Sequence, residues 1–251
     1  MAKIYLIGAG PGDPELLTIK AIRTLECVDI VLYDKLVNIN ILSYAKKEAI
    51  KICVGKENGF HSIEQDDINS LMLTYYNLGF KVARLKSGDP FVFGRGAEEA
   101  LFLRMHNVEF EIIPGITSAI GLPTHAYIPV TYRGLSSSFA VITGHRMNGN
   151  LEHINWHSIV GIDTLIFLMA VSSRQEIAKR LIGAGRDKSE PVAFIENGFC
   201  DDERIVVTTL ESLAYENIEI KSPSVMVIGK VVNIRNKLKS IELALSGKIN
   251  I

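Results

Sequence analysis

The residues of this 251-residue chain that could do chemistry stand where short apolar runs end. Asp34 follows the run 28–33, Lys56 comes just after 50–54, and Gly88-Asp89 comes just after 82–86. A carboxylate aimed into a cleft could act on a ligand, yet aspartate after a strand is equally a helix N-cap, and both readings stay open. A single lysine is by default a solvated side chain. The loop 84–96 is harder to dismiss as a plain turn. It spends Gly88, Gly94, Gly96, Pro90, Asp89 and Arg95 between an apolar lead-in and a run of good helix formers with Glu98 and Glu99 in the first turn. That is a loop from a strand's carboxyl end into a helix, the place where open α/β sheets hold ligands.

The elements that must position these groups alternate strand and helix. The run 3–7 reads as a buried parallel strand ending in Gly8-Ala9-Gly10-Pro11-Gly12-Asp13. Gly-x-Gly after a first strand invites a dinucleotide fingerprint, but Asp13 stands where the third glycine belongs and Pro11 and Pro14 interrupt the turn. A carboxylate there would repel a pyrophosphate. An uncharged or cationic ligand part fits better. A helix is expected from Pro14 to Leu25, a second strand over 28–33, a third over 50–54, and a helix from Ser62 with a capping box to Gln65. The segment 110–113 is a fifth strand, followed by Pro114-Gly115-Ile116-Thr117-Ser118, whose two hydroxyls can bind a ligand or cap a helix. Gly10-Pro11, Asp34, Lys56 and Gly88-Asp89 therefore share one sheet edge, which strengthens the functional reading of each.

Beyond a linker at 128–134, strands are expected over 139–143, 164–169, 191–196, 204–208 and 224–228, joined by turns into a mixed sheet. Two α/β domains follow, residues 1–130 and 135–245, in keeping with a length comfortable for two cores. Met169, at the end of the clearest buried strand, is by its type a core residue, and Glu196-Asn197-Gly198 reads as a turn.

A net charge of −1 gives no reason to expect a nucleic-acid or membrane partner. Cys27, Cys53 and Cys200 form no C-x-x-C pair and are expected to be buried thiols in a reducing compartment. His153 and His157 lack the glutamate of H-E-x-x-H, so no metal site is expected. No apolar run approaches the roughly 18 residues of a membrane span. A cytoplasmic protein without a signal peptide is the expectation.

Taken together, Gly8-Ala9-Gly10-Pro11-Gly12-Asp13, Val31-Leu32-Tyr33-Asp34-Lys35-Leu36, Val54-Gly55-Lys56, Gly88-Asp89-Pro90-Phe91-Val92-Phe93-Gly94-Arg95-Gly96, Pro114-Gly115-Ile116-Thr117 and Thr143-Gly144-His145 resemble the tetrapyrrole methylases. The likeness runs over about residues 3–240 and is closest to the branch that acts on uroporphyrinogen III. It implies two α/β domains with S-adenosylmethionine in the cleft between them, a fold distinct from the Rossmann-type methyltransferases. It also implies methylation of uroporphyrinogen III at carbons 2 and 7, giving precorrin-2 and S-adenosylhomocysteine for sirohaem and cobalamin-type biosynthesis, by a homodimer. A stand-alone form without an added dehydrogenase domain is expected.

The resemblance further assigns residues. Asp34 and Lys56 match proton acceptor and donor positions. Pro11, Ser87, Gly88, Asp89, Val92, Thr117, Ser118, Met169, Ala193 and Gly198 match cofactor contacts. Lys35, Lys86, Arg95, Arg133 and Arg146 are the candidate partners of the substrate's carboxylates. Ser87 stands in place of a family glycine, Ser118 of an alanine, Tyr132 of a frequent histidine, and Ala170 of a glycine. Two other readings compete: a binding protein that kept the fold without turnover, and a sister methylase acting on a later precorrin or on a modified translation factor.

Overall fold

The computed structural model describes residues 1–55, 64–145 and 150–245. The chain divides into two compact units, Met1–Ser118 and Ala119–Ile251, so the linker expected at 128–134 lies inside the second.

Among the described residues the first unit holds five strands, β1 (Lys3–Gly8), β2 (Ile30–Tyr33), β3 (Ile50–Cys53), β4 (Lys81–Lys86) and β5 (Phe110–Ile113), in the order β3-β2-β4-β1-β5. Every pairing is parallel. All five carboxyl ends therefore share one edge. Alternate side chains enter two cores. Ile7, Val31, Ala83 and Leu85 pack with Leu17, Ala21, Leu25 and Ile41 on one face. Ile4, Leu6, Ile30, Leu32 and Val82 pack on the other with Ile68 and Met72 of α2 (Gln65–Asn77) and Leu103 of α3 (Gly96–Met105). Burial on both faces is why the strands read as apolar runs rather than alternating ones.

The helix expected from Pro14 is broken. Pro14–Leu16 is a single 3-10 turn, and Leu17 and Thr18 are extended before α1 (Ile19–Leu25) begins. The reason is local: the Asp13 carboxylate accepts from the Glu15 amide, and the Thr18 hydroxyl caps α1 by accepting from the Ala21 amide at 3.1 Å. α2 likewise has its N-cap two residues later than expected. Glu64 is its N-cap, with its amide donating to the Asp67 carboxylate at 3.3 Å; Ser62 lies outside the described residues.

The second unit carries α4 (Ser118–His125), most of which it owns, and then β6 (Phe139–Thr143), α5 (Trp156–Ile159), β7 (Thr164–Leu168), α6 (Arg174–Gly183), β8 (Pro191–Glu196), β9 (Arg204–Thr209), α7 (Leu210–Tyr215), β10 (Ser224–Ile228) and α8 (Val232–Leu245). The sheet order is β6-β7-β10-β8-β9. It is mixed, as expected: β6 and β7 are parallel, and β10 runs antiparallel to both β7 and β8. β6, β7 and β8 thus end on one edge. Glu196, 1 % exposed at the end of β8, receives the Arg204 guanidinium on both oxygens at 2.7 and 2.9 Å and the Lys221 amide at 2.8 Å.

The expectation of buried thiols is overturned. Cys27, Cys53 and Cys200 are all exposed. Cys27 lies in the turn after α1 and Cys53 ends an edge strand, and neither place is covered by the cores that the parallel sheet builds on its two faces.

Candidate active site

At the carboxyl edge of the first sheet, three loops meet through glycine backbones. Gly8 ends β1, Gly88 follows β4 and Gly115 follows β5. A Cβ on Gly8 would lie 2.5 Å from the Gly115 nitrogen and 2.6 Å from the Gly88 carbonyl oxygen, so no side chain fits between these strands' ends. The Gly10 and Gly88 amides and carbonyls are exchanged as a reciprocal pair at 3.2 and 2.8 Å, with φ of +73° and +68°. Asp89 ties the third loop in: its Oδ2 accepts from the Gly115 amide at 3.1 Å and its Oδ1 from the Phe91 amide at 2.8 Å. Both carboxylate oxygens are thus engaged in shaping the loop. Ser87 and Val92 are half-buried on the same loop, as are Thr117 and Ser118 just beyond Gly115. Pro11, half-buried, follows Gly10.

Asp34 emerges beside this floor. Its amide donates to Leu85 O at 3.2 Å, which fixes it at the end of β2 next to β4. Its Oδ1 receives Arg84 Nη2 at 2.5 Å. Its carbonyl accepts from the Val37 amide at 3.0 Å in the turn that follows, and its side chain serves the ion pair rather than capping a helix. Lys35 is exposed, and its backbone packs on Gly55. Lys56 and Arg146 lie outside the described residues.

Arg84 itself was not singled out from sequence, and it is the largest fully buried side chain, 2 % exposed. Its Nε donates to Glu99 Oε1 at 3.1 Å. The same oxygen takes Lys86 Nζ at 2.8 Å and Gln65 Nε2 at 3.1 Å. The signal was present in β4, where Arg84 and Lys86 stand two apart in a central parallel strand. Residues two apart share a face, and two cations on a buried face demand a buried carboxylate. Lys86 therefore does not stand where a substrate carboxylate could meet it, and that expectation is corrected. Its ammonium is buried against Glu99. Burial, and then the neighbouring Arg84, push its pKa below the ordinary lysine value despite that carboxylate.

Of the other candidate cations, Arg95 is exposed at the start of α3 with φ +60° and is held by both Glu98 oxygens, at 3.1, 3.0 and 2.6 Å. Arg133 is exposed in the turn between Tyr132 and Ser136.

In the second unit, Met169 is not a core residue. It follows β7 with φ +56° and is 50 % exposed. Gly198 follows β8 and lies against the Leu122 side chain with no room for a Cβ. Ala193 differs from both: it is fully buried in mid-strand, packed among Ala119, Leu122, Ile166, Ile195 and Val227. As a ligand contact its side chain is corrected, since that core covers it. His145 is exposed just beyond β6, where its amide donates to the Thr143 hydroxyl. Among the described residues, no cluster of three or more His, Cys, Asp or Glu is placed to hold a metal ion. No described helix is long and apolar enough to cross a membrane.

Comparison with known proteins agrees with this geometry. Residues 3–214 match the family described as Tetrapyrrole (Corrin/Porphyrin) Methylases. The chain is 46 % identical over 245 residues to a uroporphyrinogen-III C-methyltransferase of Bacillus subtilis (strain 168), covering 96 % of this chain and 95 % of that one. It is 40 % identical to a siroheme synthase of Ruthia magnifica, but spans 51 % of that longer protein. Among solved structures, a uroporphyrin-III C-methyl transferase from Thermus thermophilus complexed with S-adenyl homocysteine is 41 % identical, with a TM-score of 0.82 over 93 % of this chain and all of that one. A cobalt precorrin-4 methyltransferase is 27 % identical with a TM-score of 0.80 over 92 % of this chain and 95 % of that one. The all-parallel glycine-floored sheet, the mixed second sheet and these matches along nearly the whole chain lead to one conclusion: the chain belongs to the tetrapyrrole methylases.

Proposed function

We propose that this chain transfers methyl groups from S-adenosylmethionine to uroporphyrinogen III, at carbons 2 and 7, yielding precorrin-2 and S-adenosylhomocysteine for sirohaem and cobalamin-type synthesis. The observation that carries this is 46 % identity along nearly the whole chain with a uroporphyrinogen-III C-methyltransferase, joined to a solved relative that holds the demethylated donor. The residues present suit such a donor. The Gly8, Gly88 and Gly115 backbones leave a floor without side chains at a sheet edge, and the Asp89 carboxylate, with one backbone amide on each oxygen, ties the Gly88 and Gly115 loops together.

The donor supplies an already activated methyl group on a sulfonium, so the protein's task is to orient and to exclude water. Pro11, Ser87, Gly88, Asp89, Val92, Thr117 and Ser118 would form the donor-binding set in the first unit. Met169 and Gly198 join it on the family resemblance. Asp34 takes part in removing the proton that the methylated macrocycle must lose, with the Arg84 guanidinium holding its carboxylate in place. Lys56 supplies or stabilises the counter-charge, on the resemblance alone. Lys35, Arg95, Arg133 and Arg146 are proposed to receive the substrate's carboxylates, Arg95 by exchanging its bonds to Glu98. A homodimer working in the cytoplasm completes this reading.

The test is incubation with S-adenosylmethionine and uroporphyrinogen III without oxygen, followed by oxidation and detection of a fluorescent dimethylated product. Absence of product while a later precorrin is methylated would reassign the chain to a sister activity. In the same assay Asp34→Ala should lose most turnover, and parental turnover would remove Asp34 from the chemistry.

A further inference from the structure

Four charged side chains run inward from the proposed site as one chain of contacts: Asp34, Arg84, Glu99 and Lys86. The three innermost are all but fully buried, Glu99 at 0 %. They come from the end of β2, from β4 and from α3, and Gln65 of α2 adds its amide. The carboxylate is used unevenly. Oε1 accepts all three donors, whereas Oε2 is buried with no hydrogen-bond partner among the described residues. Glu99 thus meets two cations through a single oxygen and leaves the Arg84 fork one free edge, which is the edge that reaches Asp34 at 2.5 Å.

A buried carboxylate between two cations is a poor device for stability, because desolvation offsets most of the Coulomb gain. It is a good device for holding a guanidinium in one orientation. Arg84 cannot swing toward solvent without breaking its Nε bond to Glu99 and its 3.3 Å bond to the Leu85 carbonyl. We propose that Glu99 is a positioning residue for the reaction: it orients Arg84, and through Arg84 it holds the Asp34 carboxylate in its working geometry. This rests on the reading that Asp34 moves the proton. Glu99 itself is covered by α3, α2 and β4 and touches no substrate.

The discriminating variant is Glu99→Gln. It keeps the size and places its amide where Oε2 makes no bond, but it turns the charge-assisted bonds at Oε1 into weaker ones to a neutral oxygen, so the hold on Arg84 is loosened while the packing is kept. Arg84 and Lys86 then lose their shared counter-ion. The expected result is a fall in kcat of about ten- to a hundredfold, the range for a catalytic group displaced by less than 1 Å. The dissociation constant for S-adenosylhomocysteine, measured by calorimetry, should stay within about twofold, since the glycine floor does not touch Glu99. A merely structural role is separated by a double-mutant cycle in single-turnover mode. In an Asp34→Asn background, Glu99→Gln should change the rate less than about twofold, whereas a structural role would give the same loss in both backgrounds.

Should Asp34→Asn fall below detection, the cycle is run against Arg84→Lys, which keeps the charge and loses the fork. Should Glu99→Gln fail to fold, Glu99→Asp carries the test, since it keeps the charge and draws the carboxylate back from Arg84 by one methylene, with the same fall in kcat and the same unchanged affinity expected. Parental kcat in the variants used, or equal losses in both backgrounds, overturns the proposal. Full activity of Asp34→Asn would instead overturn the reading beneath it, and an inactive Asp34→Asn beside a fully active Glu99→Gln would sink this inference alone.

Discussion

Gly8→Ala tests the idea that the donor floor depends on backbone meeting backbone. A Cβ at Gly8 would sit 2.5 Å from the Gly115 nitrogen, 2.6 Å from its Cα and 2.6 Å from the Gly88 carbonyl oxygen, about 0.9 Å short of an ordinary 3.4 Å contact. None of the three is the tip of a movable side chain, so β1 must part from both loops. Forced overpacking of this kind costs about 1–3 kcal/mol. For a chain of this size that is roughly a 2–12 °C drop in Tm. The functional loss should be larger, because the parting separates the Gly88 and Gly115 loops that Asp89 joins. A shift of about 1 Å is enough for a hundredfold loss of rate. Differential scanning calorimetry and calorimetric titration with S-adenosylhomocysteine measure the two effects separately. Gly183→Ala is the control. It has open space around its Cβ and ends α6, so it should be neutral or stabilised by up to about 1 kcal/mol. If Gly8→Ala melts within 1–2 °C of the parent and binds the product with unchanged affinity, about the outcome for an uncrowded site, the close-approach reasoning is refuted.

Asp89→Asn should weaken S-adenosylhomocysteine binding about tenfold. An amide cannot accept from both the Phe91 and Gly115 amides, and one lost charge-assisted bond is worth about 1.5 kcal/mol. Parental affinity in the titration would show that the loop holds without it. Glu196→Gln should change the pH dependence of stability. Burial alone would raise the Glu196 carboxyl, but the Arg204 guanidinium and the Lys221 amide outweigh it and hold the folded value below 4.5. A depressed carboxyl contributes stability that is full above the unfolded value and is lost as pH falls through the folded one. The parent's melting temperature should therefore fall more steeply on acidification below pH 4.5 than the variant's, and parallel curves would disprove the assignment.

What the amino-acid order determines here is whatever depends on near neighbours. Apolar runs such as 3–7 and 164–168 declare buried strands because each residue's environment repeats along its own element. Glycine and proline clusters at 8–14, 88–96 and 114–115 declare where the chain must turn tightly, since only those backbones tolerate it. The ordered set of loops was enough to point to the family, and the parallel first sheet follows from strands alternating with helices.

Partners across long separations were decided only by the tertiary structure. Asp34 lies 50 residues from the arginine that holds it, and Glu99 lies 15 and 13 residues from its two cations. Local pattern says which side chains share a face of β4, but not which residue of α3 is laid over them. That depends on strand register and helix packing. The same cause sent Lys86 to the interior and Ala193 into a core, and brought Met169 out of one. A residue's type records what it can bear; its neighbours in space decide what it does.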